Sequence, residues 1–337
     1  MKVITICGGG ALGHVIAGWL SARNHAIVNM LTNHPEQWNH EIVVDTPNGE
    51  VLKGKLAITS SNPQDIIPSA DIVLLCLPGF LIKKELEAIQ PYLSSKTYVG
   101  SVFSSTGFFF EAKEIVHSDQ PLWGFQRVPF ISRVEEYGKS AHLLGYKNEY
   151  HIAVEHVTDL EKTNFAQTIE EWFERPVRLL KNYYEASLTN SNPLLHTSRL
   201  YTMFGGENEG KVYPRMQLFY EEWTEEAADL YIKMDEEFFR LLHVLPVSKD
   251  FLPTALDYYE SHDAKSLAAK LSSIQGFKGI SSPMLETTVG WVADYSSRYF
   301  TEDFPYGLKY IWQLAHSHQL SCPYIDRVYE WGMSKIS

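Results

Sequence analysis

Short apolar runs alternate with longer stretches of helical periodicity in the first half of the chain. The run DIVLLCLP at residues 71–78 has no polar alternation, as expected of a parallel strand that is covered on both faces. KVITICG at residues 2–8 and AIVNML at residues 26–31 have the same character, and residues 11–23 between them have helical spacing. This alternation predicts an N-terminal α/β domain built on a doubly wound parallel sheet.

The second half has a different pattern, in which apolar residues recur at steps of three and four. Residues 213–242 carry this spacing throughout and predict one long amphipathic helix. No convincing strand follows, and further helices are predicted near residues 264–275, 284–298 and 305–317. We therefore expect an all-α C-terminal domain, with domain limits at 1–185 and 186–337.

A glycine-rich segment, GGGALG, connects the first predicted strand to the first predicted helix. In the spacing Gly8-x-Gly10-x-x-Gly13, the glycines permit a tight turn, a close approach to a pyrophosphate and close packing of helix on strand. The backbone N–H groups of Gly8, Gly10, Ala11, Leu12 and Gly13 are then candidates for binding phosphate at the positive end of the helix dipole. The alternative is a strand-to-helix turn without a ligand, but this context favours a dinucleotide cofactor.

The end of the second predicted strand bears on the choice between NAD and NADP. An NAD site usually has an acidic residue here to hold the ribose 2′-hydroxyl, whereas this chain has Thr32, Asn33 and His34. The lack of a carboxylate favours NADP, because nothing there repels a 2′-phosphate. Ordinary turn residues before Pro35 would look the same, so NAD stays open.

Two other predicted strands end in small or turn-forming residues at the edge where α/β sheets bind ligands. Leu77 and Pro78 follow one strand, and Ser104–Gly107 (SSTG) follow another. We expect Leu77 and Pro78 to contact the cofactor, while the serines are equally typical of a simple turn.

Composition excludes several classes of protein. The 337 residues carry a net charge of -12, which argues against a nucleic-acid partner, and no apolar stretch is long enough to span a membrane. Cys7, Cys76 and Cys322 are far apart and odd in number, so they predict neither a disulfide framework nor a zinc site. We expect a cytoplasmic protein without a metal, and the 13% aromatic content is compatible with a homodimer.

Candidate acid/base residues lie in two stretches of the second half. In SNPLLHTSRL, Ser191 or Asn192 can cap a helix that places Asn192 and His196 four residues apart on one face. In SRYFTEDFPYGL, Arg298 precedes Asp303. A histidine, a carboxylate and an arginine are the groups needed to polarise a carbonyl and to bind an acid substrate. Spacing alone does not show that they meet.

The combination of GGGALGHVIAG, NPLLH and RYFTEDFPYGL resembles the octopine/nopaline (opine) dehydrogenase family over nearly the whole chain. The resemblance implies a Rossmann domain joined to an all-α domain, and reductive condensation of an amino acid with an α-keto acid by NADH or NADPH. It also implies that His196 is the acid/base residue, Asp303 its orienting partner, Arg298 a carboxylate clamp, and Asn192 a residue near the nicotinamide.

The chain departs from that family at Gln126 and Arg127, where octopine-type members carry an acidic residue and a threonine. Losing the acidic partner disfavours a cationic amino acid, so we expect L-arginine not to be a substrate. Arg127 either receives an additional carboxylate or has a structural role at the surface or with Glu135 or Glu136.

Two other functions remain open at this stage. One is the amine-independent reduction of a single keto acid, as in ketopantoate reductase, although no mid-chain lysine motif supports it. The other is a non-enzymatic cofactor sensor, in which TEDFPYG would be a structural turn.

Overall fold

The computed structural model describes residues 1–336, and the chain divides into one unit from Met1 to Thr189 and a second from Asn190 onward. The predicted domain limits, 1–185 and 186–337, stay a prediction. None of the helices within the described residues has the length and apolar character that crossing a membrane requires.

Strands and helices alternate in the first unit, as the pattern predicts. The strands are β1 (Val3–Cys7), β2 (Ile27–Leu31), β3 (Glu41–Asp45), β4 (Val51–Lys55), β5 (Ile58–Ser60), β6 (Ile72–Leu75), β7 (Tyr98–Ser101), β8 (Leu122–Phe125), β9 (Phe130–Glu136), β10 (Ser140–Tyr146), β11 (Tyr150–Glu155) and β12 (Val177–Leu179). The helices are α1 (Ala11–Ala22), α2 (Gly79–Ile89), α3 (Phe108–Ile115), α4 (Asp159–Phe173) and α5 (Tyr183–Ser187).

The main sheet has the strand order β12-β11-β8-β7-β6-β1-β2-β5. From β5 to β8 the strands are parallel, and the order reverses between β1 and β6, where doubly wound sheets bind ligands. Along β6, Leu74 belongs to the core on one face while Val73 and Leu75 belong to the core on the other. The predicted parallel sheet is confirmed, with one antiparallel pair, β8 and β11.

A second sheet, in the order β4-β3-β10-β9, packs against α1 and was not predicted from the sequence. Its strands β9 and β10 form a hairpin whose turn contains Tyr137 and Gly138. This turn contributes to the site described below.

The second unit is mainly helical. Its helices are α6 (Asn192–Phe204), α7 (Glu225–Val244), α8 (Ala255–Tyr258), α9 (Ala264–Ser273), α10 (Arg298–Thr301), α11 (Lys309–Ser317) and α12 (Pro323–Ile336), with a π-helical turn at Phe304–Leu308 and a hairpin of β13 (Met284–Thr287) and β14 (Gly290–Ala293).

Two helix predictions for this unit are wrong. The helix predicted at 213–242 begins only at Glu225, because Thr224 caps it by accepting from the Ala227 N–H. Residues before Thr224 are held in β-bridges, including one from Tyr213 to β14, so their backbone groups are satisfied outside a helix.

The segment predicted as a helix at 284–298 instead forms the hairpin of β13 and β14. Gly290 has φ +136°, a conformation incompatible with a helix, and its position allows β14 to approach the Tyr213 carbonyl. Helical spacing of apolar residues was misleading here because residues 284–293 pair with each other as a hairpin, and Trp291 also bridges to the distant Tyr213.

Candidate active site

The glycine-rich turn has the geometry that phosphate binding requires. Gly8 has φ +116°, and a Cβ there would lie 2.7 Å from the Cys76 carbonyl oxygen. A Cβ at Gly13 would overlap the Gly8 carbonyl oxygen, which explains the close packing of α1 on β1. By contrast, a Cβ at Gly10 would meet no protein atom within 4 Å, so that position is open toward a ligand.

A cleft of about 390 Å³ opens at this turn. Most of the predicted cofactor residues line it: Gly8, Gly10, Thr32, Asn33, His34, Leu77 and Pro78. Ala11, Leu12 and Gly13 form the first turn of α1, whose N–H groups have no acceptor inside the helix. The residues present therefore fit a dinucleotide, with its phosphates at the N-terminus of α1.

His14 braces this turn, a role that the sequence did not predict. Its side chain is buried, its Nδ1–H donates to the Gly10 carbonyl at 2.9 Å, and its Nε2 accepts from the Gly138 N–H at 2.7 Å. Burial lowers the pKa of His14, which keeps the ring neutral and able to accept. The glycine turn is thus tied to the hairpin of β9 and β10.

The residues at the end of β2 are held differently from one another. Thr32 is buried and shares a hydrogen bond of 3.2 Å with the Tyr137 hydroxyl, while Asn33 is exposed. His34 is exposed and lies 3.4 Å from the Glu36 carboxylate. The acidic residue that follows this strand end, Glu36, therefore lies beyond Thr32, Asn33 and His34 and next to the His34 imidazole.

Ser104 has a structural position. It is buried, and its hydroxyl donates to the Phe125 carbonyl at 2.8 Å.

In the second unit, the two motifs NPLLH and RYFTEDFPYGL meet. His196 on α6 and Asp303, just before the π-helical turn, are joined by a bond of 2.8 Å between Nδ1 and Oδ2. The other ring nitrogen, Nε2, lies 2.7 Å from the hydroxyl of Tyr220. The result is a chain of carboxylate, imidazole and phenol in which the imidazole and the phenol are buried and the carboxylate is half-buried.

The backbone of the motifs explains why these side chains meet. Pro193 lies in the first turn of α6, and a Cβ at Gly307 would lie 2.6 Å from its ring. Glycine at this position therefore lets the π-helical turn approach α6. The Leu308 N–H bonds to the Asp303 carbonyl at 2.8 Å, which fixes Asp303 at the start of that turn.

Aromatic rings surround His196, and a buried arginine on the same helix holds one of the segments that carry them. The rings of Phe219 and Tyr299 lie 5.5 and 4.8 Å from the imidazole. Arg199, also on α6, donates to the carbonyls of Phe219 and Glu222 at 3.3 and 2.6 Å, and so holds the segment that carries Tyr220. Burial lowers the pKa of Arg199 to about 10 and raises that of Tyr220, so at neutral pH the one is charged and the other protonated.

The sequence pattern did not identify Tyr220, although this residue lies within the helix predicted at 213–242. When residues 213–242 are interpreted as one helix, the apolar residues around Tyr220 are assigned to core packing, and Tyr220 is not considered as a site residue. A run of aromatic residues before the Thr224 cap was the available signal.

The other predicted residues of the α6 and α10 regions are less enclosed. Arg298 begins α10, with 85% of its side chain exposed and the nearest Glu302 oxygen at 3.9 Å. Asn192 is the first residue of α6, and its N–H donates to the Asn190 side chain at 3.3 Å. Ser191 occupies the N-cap position, as predicted, but its side chain makes no capping hydrogen bond.

Gln126 and Arg127 lie at the end of β8 in the first unit. The Gln126 amide donates to the Glu185 carbonyl at 3.1 Å, and its oxygen lies 3.2 Å from Nδ1 of His151. Arg127 donates to the Thr189 carbonyl.

Family models match parts of both units, and known proteins match nearly the whole chain. Residues 179–336 match the family model described as "NAD/NADP octopine/nopaline dehydrogenase, alpha-helical domain", and residues 4–121 match ketopantoate reductase PanE/ApbA. Octopine dehydrogenase of Pecten maximus is 23% identical over 99% of this chain and 90% of its own length. Tauropine dehydrogenase of Arabella iricolor is 27% identical over 98% of this chain and 91% of its own length. A solved octopine dehydrogenase with NADH and L-arginine has the same fold, with a TM-score of 0.85, 23% identity, and coverage of 100% of this chain and 90% of that one.

Proposed function

Because this chain belongs to the opine dehydrogenase family, we propose that His196, Asp303 and Tyr220 perform the proton transfers of its reaction. The chain is an NAD(P)-dependent oxidoreductase that acts on CH–NH bonds, joining an amino acid to an α-keto acid by reductive condensation. The observation that carries the residue assignment is the 2.8 Å bond between His196 Nδ1 and Asp303 Oδ2 in a buried setting.

Asp303 determines which tautomer of His196 is present. A carboxylate only accepts, so Nδ1 must carry a hydrogen and the lone pair of the neutral ring lies on Nε2. Tyr220 then donates its O–H to Nε2. When Nε2 is protonated, the same phenol oxygen becomes the acceptor, so Tyr220 can remain bonded to both forms of the base.

These proton positions match what the condensation requires. The amine must lose a proton to attack the keto carbon, and the carbonyl oxygen must gain protons to leave as water. His196 takes the first proton and returns one to the departing oxygen, with Asp303 stabilising the imidazolium between the two steps. The bound cofactor supplies the hydride that reduces the resulting carbon–nitrogen double bond.

The first unit binds NAD or NADP through the turn and cleft described above. NADP is the proposed preference, supported by the absence of an acidic residue among Thr32, Asn33 and His34 at the end of β2. The same proposal gives Leu77 and Pro78 contact with the cofactor from the end of β6.

The substrates are a small amino acid and an α-keto acid, and we place Arg298 and Asn192 among the residues that bind them. The amino acid is proposed to lack a cationic side chain. Gln126 and Arg127 together carry no negative charge, and a guanidinium would have no charge-assisted partner there. Efficient turnover of L-arginine with pyruvate would contradict this part of the proposal.

One assay tests the reaction class. Oxidation of NADPH and NADH is followed with a grid of α-keto acids, each with and without amino acids. We expect oxidation that depends on the amine. Oxidation that is independent of the amine would instead indicate reduction of a single keto acid, the reaction of ketopantoate reductase, whose family model matches only the first unit.

Two substitutions test the residue roles with the productive substrate pair. We expect His196→Ala to lower kcat by about 100-fold or more with cofactor affinity unchanged. Asp303→Asn keeps the size but removes the charge, so it is expected to lower kcat and to shift the pH profile. Near-normal kcat in His196→Ala would show that the histidine is not the acid/base residue.

We also propose that the protein is located in the cytoplasm. Cys7, Cys76 and Cys322 are buried and form no disulfide, which supports a reducing cytoplasm.

We propose a homodimer, which light scattering during size-exclusion chromatography tests directly. The mass of a single chain would contradict it.

A further inference from the structure

A cluster of three potential metal ligands lies where α11 and α12 meet, apart from the residues of the proposed reaction. His316 is near the end of α11, Cys322 lies just before α12, and Asp326 is in the first turn of α12. The His316 Nε2 is 2.8 Å from Asp326 Oδ1, and the Cys322 Sγ is 3.3 Å from that oxygen and 3.9 Å from that nitrogen. We propose that these three side chains bind a divalent transition metal, with zinc as the best match.

The distances fit a coordinated ion. A point equidistant from the three ligand atoms lies about 2.0 Å from each, close to the Zn–N, Zn–O and Zn–S bond lengths of about 2.0 to 2.3 Å. Without an ion, the Cys322 S–H donates to Asp326 Oδ1 at 3.3 Å, so the sulfur already faces the other two ligands.

The chemistry of the ligands selects the kind of metal. A thiolate and an imidazole favour zinc and similar ions over magnesium or calcium, which prefer oxygen ligands only. The thiolate and carboxylate together neutralise a divalent charge. Side chains of His316 and Asp326 are 45% and 31% exposed, so an ion can enter and water can complete the coordination.

The surrounding residues hold the ligands in place from both helices. The Trp312 ring lies 4.6 Å from that of His316 and stacks at 4.6 Å on Tyr329 of α12. On the other side, the buried Glu237 accepts from the N–H groups of Tyr324 and Ile325 at 3.2 and 2.8 Å. The first turn of α12 is therefore fixed before any ion binds.

An ion pair of one acidic and one basic residue lies beside the cluster. Glu237 is buried, and Arg240 lies 3.6 Å from it while donating to the Ser321 carbonyl at 3.0 Å. Binding forms the metal–sulfur bond as the S–H bond breaks, releases one proton to solvent, and changes no oxidation state.

The test uses the full-length, tag-free protein after treatment with a chelator. Cobalt(II) is the probe, because a cobalt–thiolate bond produces a charge-transfer absorption that oxygen and nitrogen ligands do not. We expect one equivalent of cobalt to produce this band and zinc to remove it by displacement. Absence of the band at saturating cobalt would overturn the proposal.

Variants locate the site. Cys322→Ser is expected to abolish the band, and His316→Gln to weaken cobalt binding by about 10-fold or more. His318→Gln removes an exposed neighbouring imidazole, and His142→Gln breaks the sulfur-free cluster of Asp45, Glu135 and His142; both should retain the band. A band that persists in Cys322→Ser would place the metal elsewhere and contradict the assignment.

Thermal melting gives a second measurement that does not depend on the spectrum. Zinc should raise the melting temperature of the wild type and of His318→Gln, because it binds the folded state and joins α11 to α12. His316→Gln should show a smaller increase at the same zinc concentration, because it binds the ion more weakly. An equal increase in all three proteins would also contradict the proposal.

Discussion

The hydroxyl of Tyr220 lies 2.7 Å from Nε2 of His196, the nitrogen left free by Asp303. The phenol is buried against Phe277, whose ring is stacked at 4.1 Å, so it has a fixed position beside the imidazole. A proton that leaves or reaches Nε2 must therefore pass this hydroxyl or displace it.

Removing the Tyr220 hydroxyl should slow the reaction without disturbing the fold. We expect Tyr220→Phe to lower kcat by about 10-fold, the effect of losing one hydrogen bond to the proposed acid/base residue, His196, and to shift the pH profile of kcat. Cofactor affinity, measured by fluorescence titration, should stay unchanged. Tyr259→Phe removes another buried phenol of the second unit as a control, and equal effects of the two changes would exclude a specific role for Tyr220.

Filling the gap at Gly307 should separate His196 from Asp303, the proposed catalytic pair. A Cβ there would lie 2.6 Å from the Pro193 ring, so Gly307→Ala must push the π-helical turn away from α6. We expect kcat to fall on the order of 10- to 100-fold, because a displacement of about 1 Å spoils proton transfer. Gly145→Ala is the matched control, since its Cβ would make only an ordinary contact at 3.6 Å. Unchanged kcat in Gly307→Ala would contradict the positioning argument.

Arg298 tests substrate binding separately from chemistry. Its side chain is 85% exposed, so its removal should leave stability intact. We expect Arg298→Ala to raise KM for a carboxylate substrate by about 10-fold with a smaller effect on kcat, because a charge-assisted bond in the bound state is lost. Arg178→Ala removes an exposed arginine of β12 as a control. A fall in kcat alone, with KM unchanged, would argue against a clamp.

The end of β2 should decide the cofactor preference. We expect the wild type to bind NADPH more tightly than NADH. Asn33→Asp should shift the ratio of the two dissociation constants toward NADH by about 10-fold or more, because a carboxylate repels the 2′-phosphate and accepts from the 2′-hydroxyl. Asn39→Asp adds the same charge outside the cleft residues. Tighter NADH binding by the wild type would reverse the assignment.

Asp235 should make stability depend on pH in an unusual direction. It is 9% exposed and accepts from the Ala255 N–H at 2.9 Å, and burial raises its pKa to about 6. Between about pH 4 and 6 the folded state holds a proton that the unfolded state has released, so the free energy of unfolding falls as pH rises through this window.

Asp235→Asn should therefore stabilise the protein at pH 7 by on the order of 1 to 3 kcal/mol, because asparagine can still accept the bond without a buried charge. The gain should vanish below about pH 4. Urea midpoints measured at several pH values check this, with the exposed Asp229→Asn on the same helix as a control. A loss of stability at pH 7 would show that the carboxylate itself is required.

The sequence by itself determined those features that depend on neighbours along the chain. The strand-to-helix turn at Gly8, Gly10 and Gly13 follows from backbone geometry over six residues, and the apolar run of β6 follows from burial on both faces. The family motifs also identified His196 and Asp303, although their spacing of more than 100 residues said nothing about contact.

Only the tertiary structure decided the features that depend on contacts between distant segments. The bond from Tyr220 to His196, the brace between His14 and Gly138, and the cluster around Cys322 each join segments that local periodicity treats separately. The misassigned helix at 213–224 has the same cause, because pairing with β14 supplied backbone partners that a helix would otherwise have provided. Local rules describe how a segment can fold, whereas long-range hydrogen bonds and packing select among its alternatives.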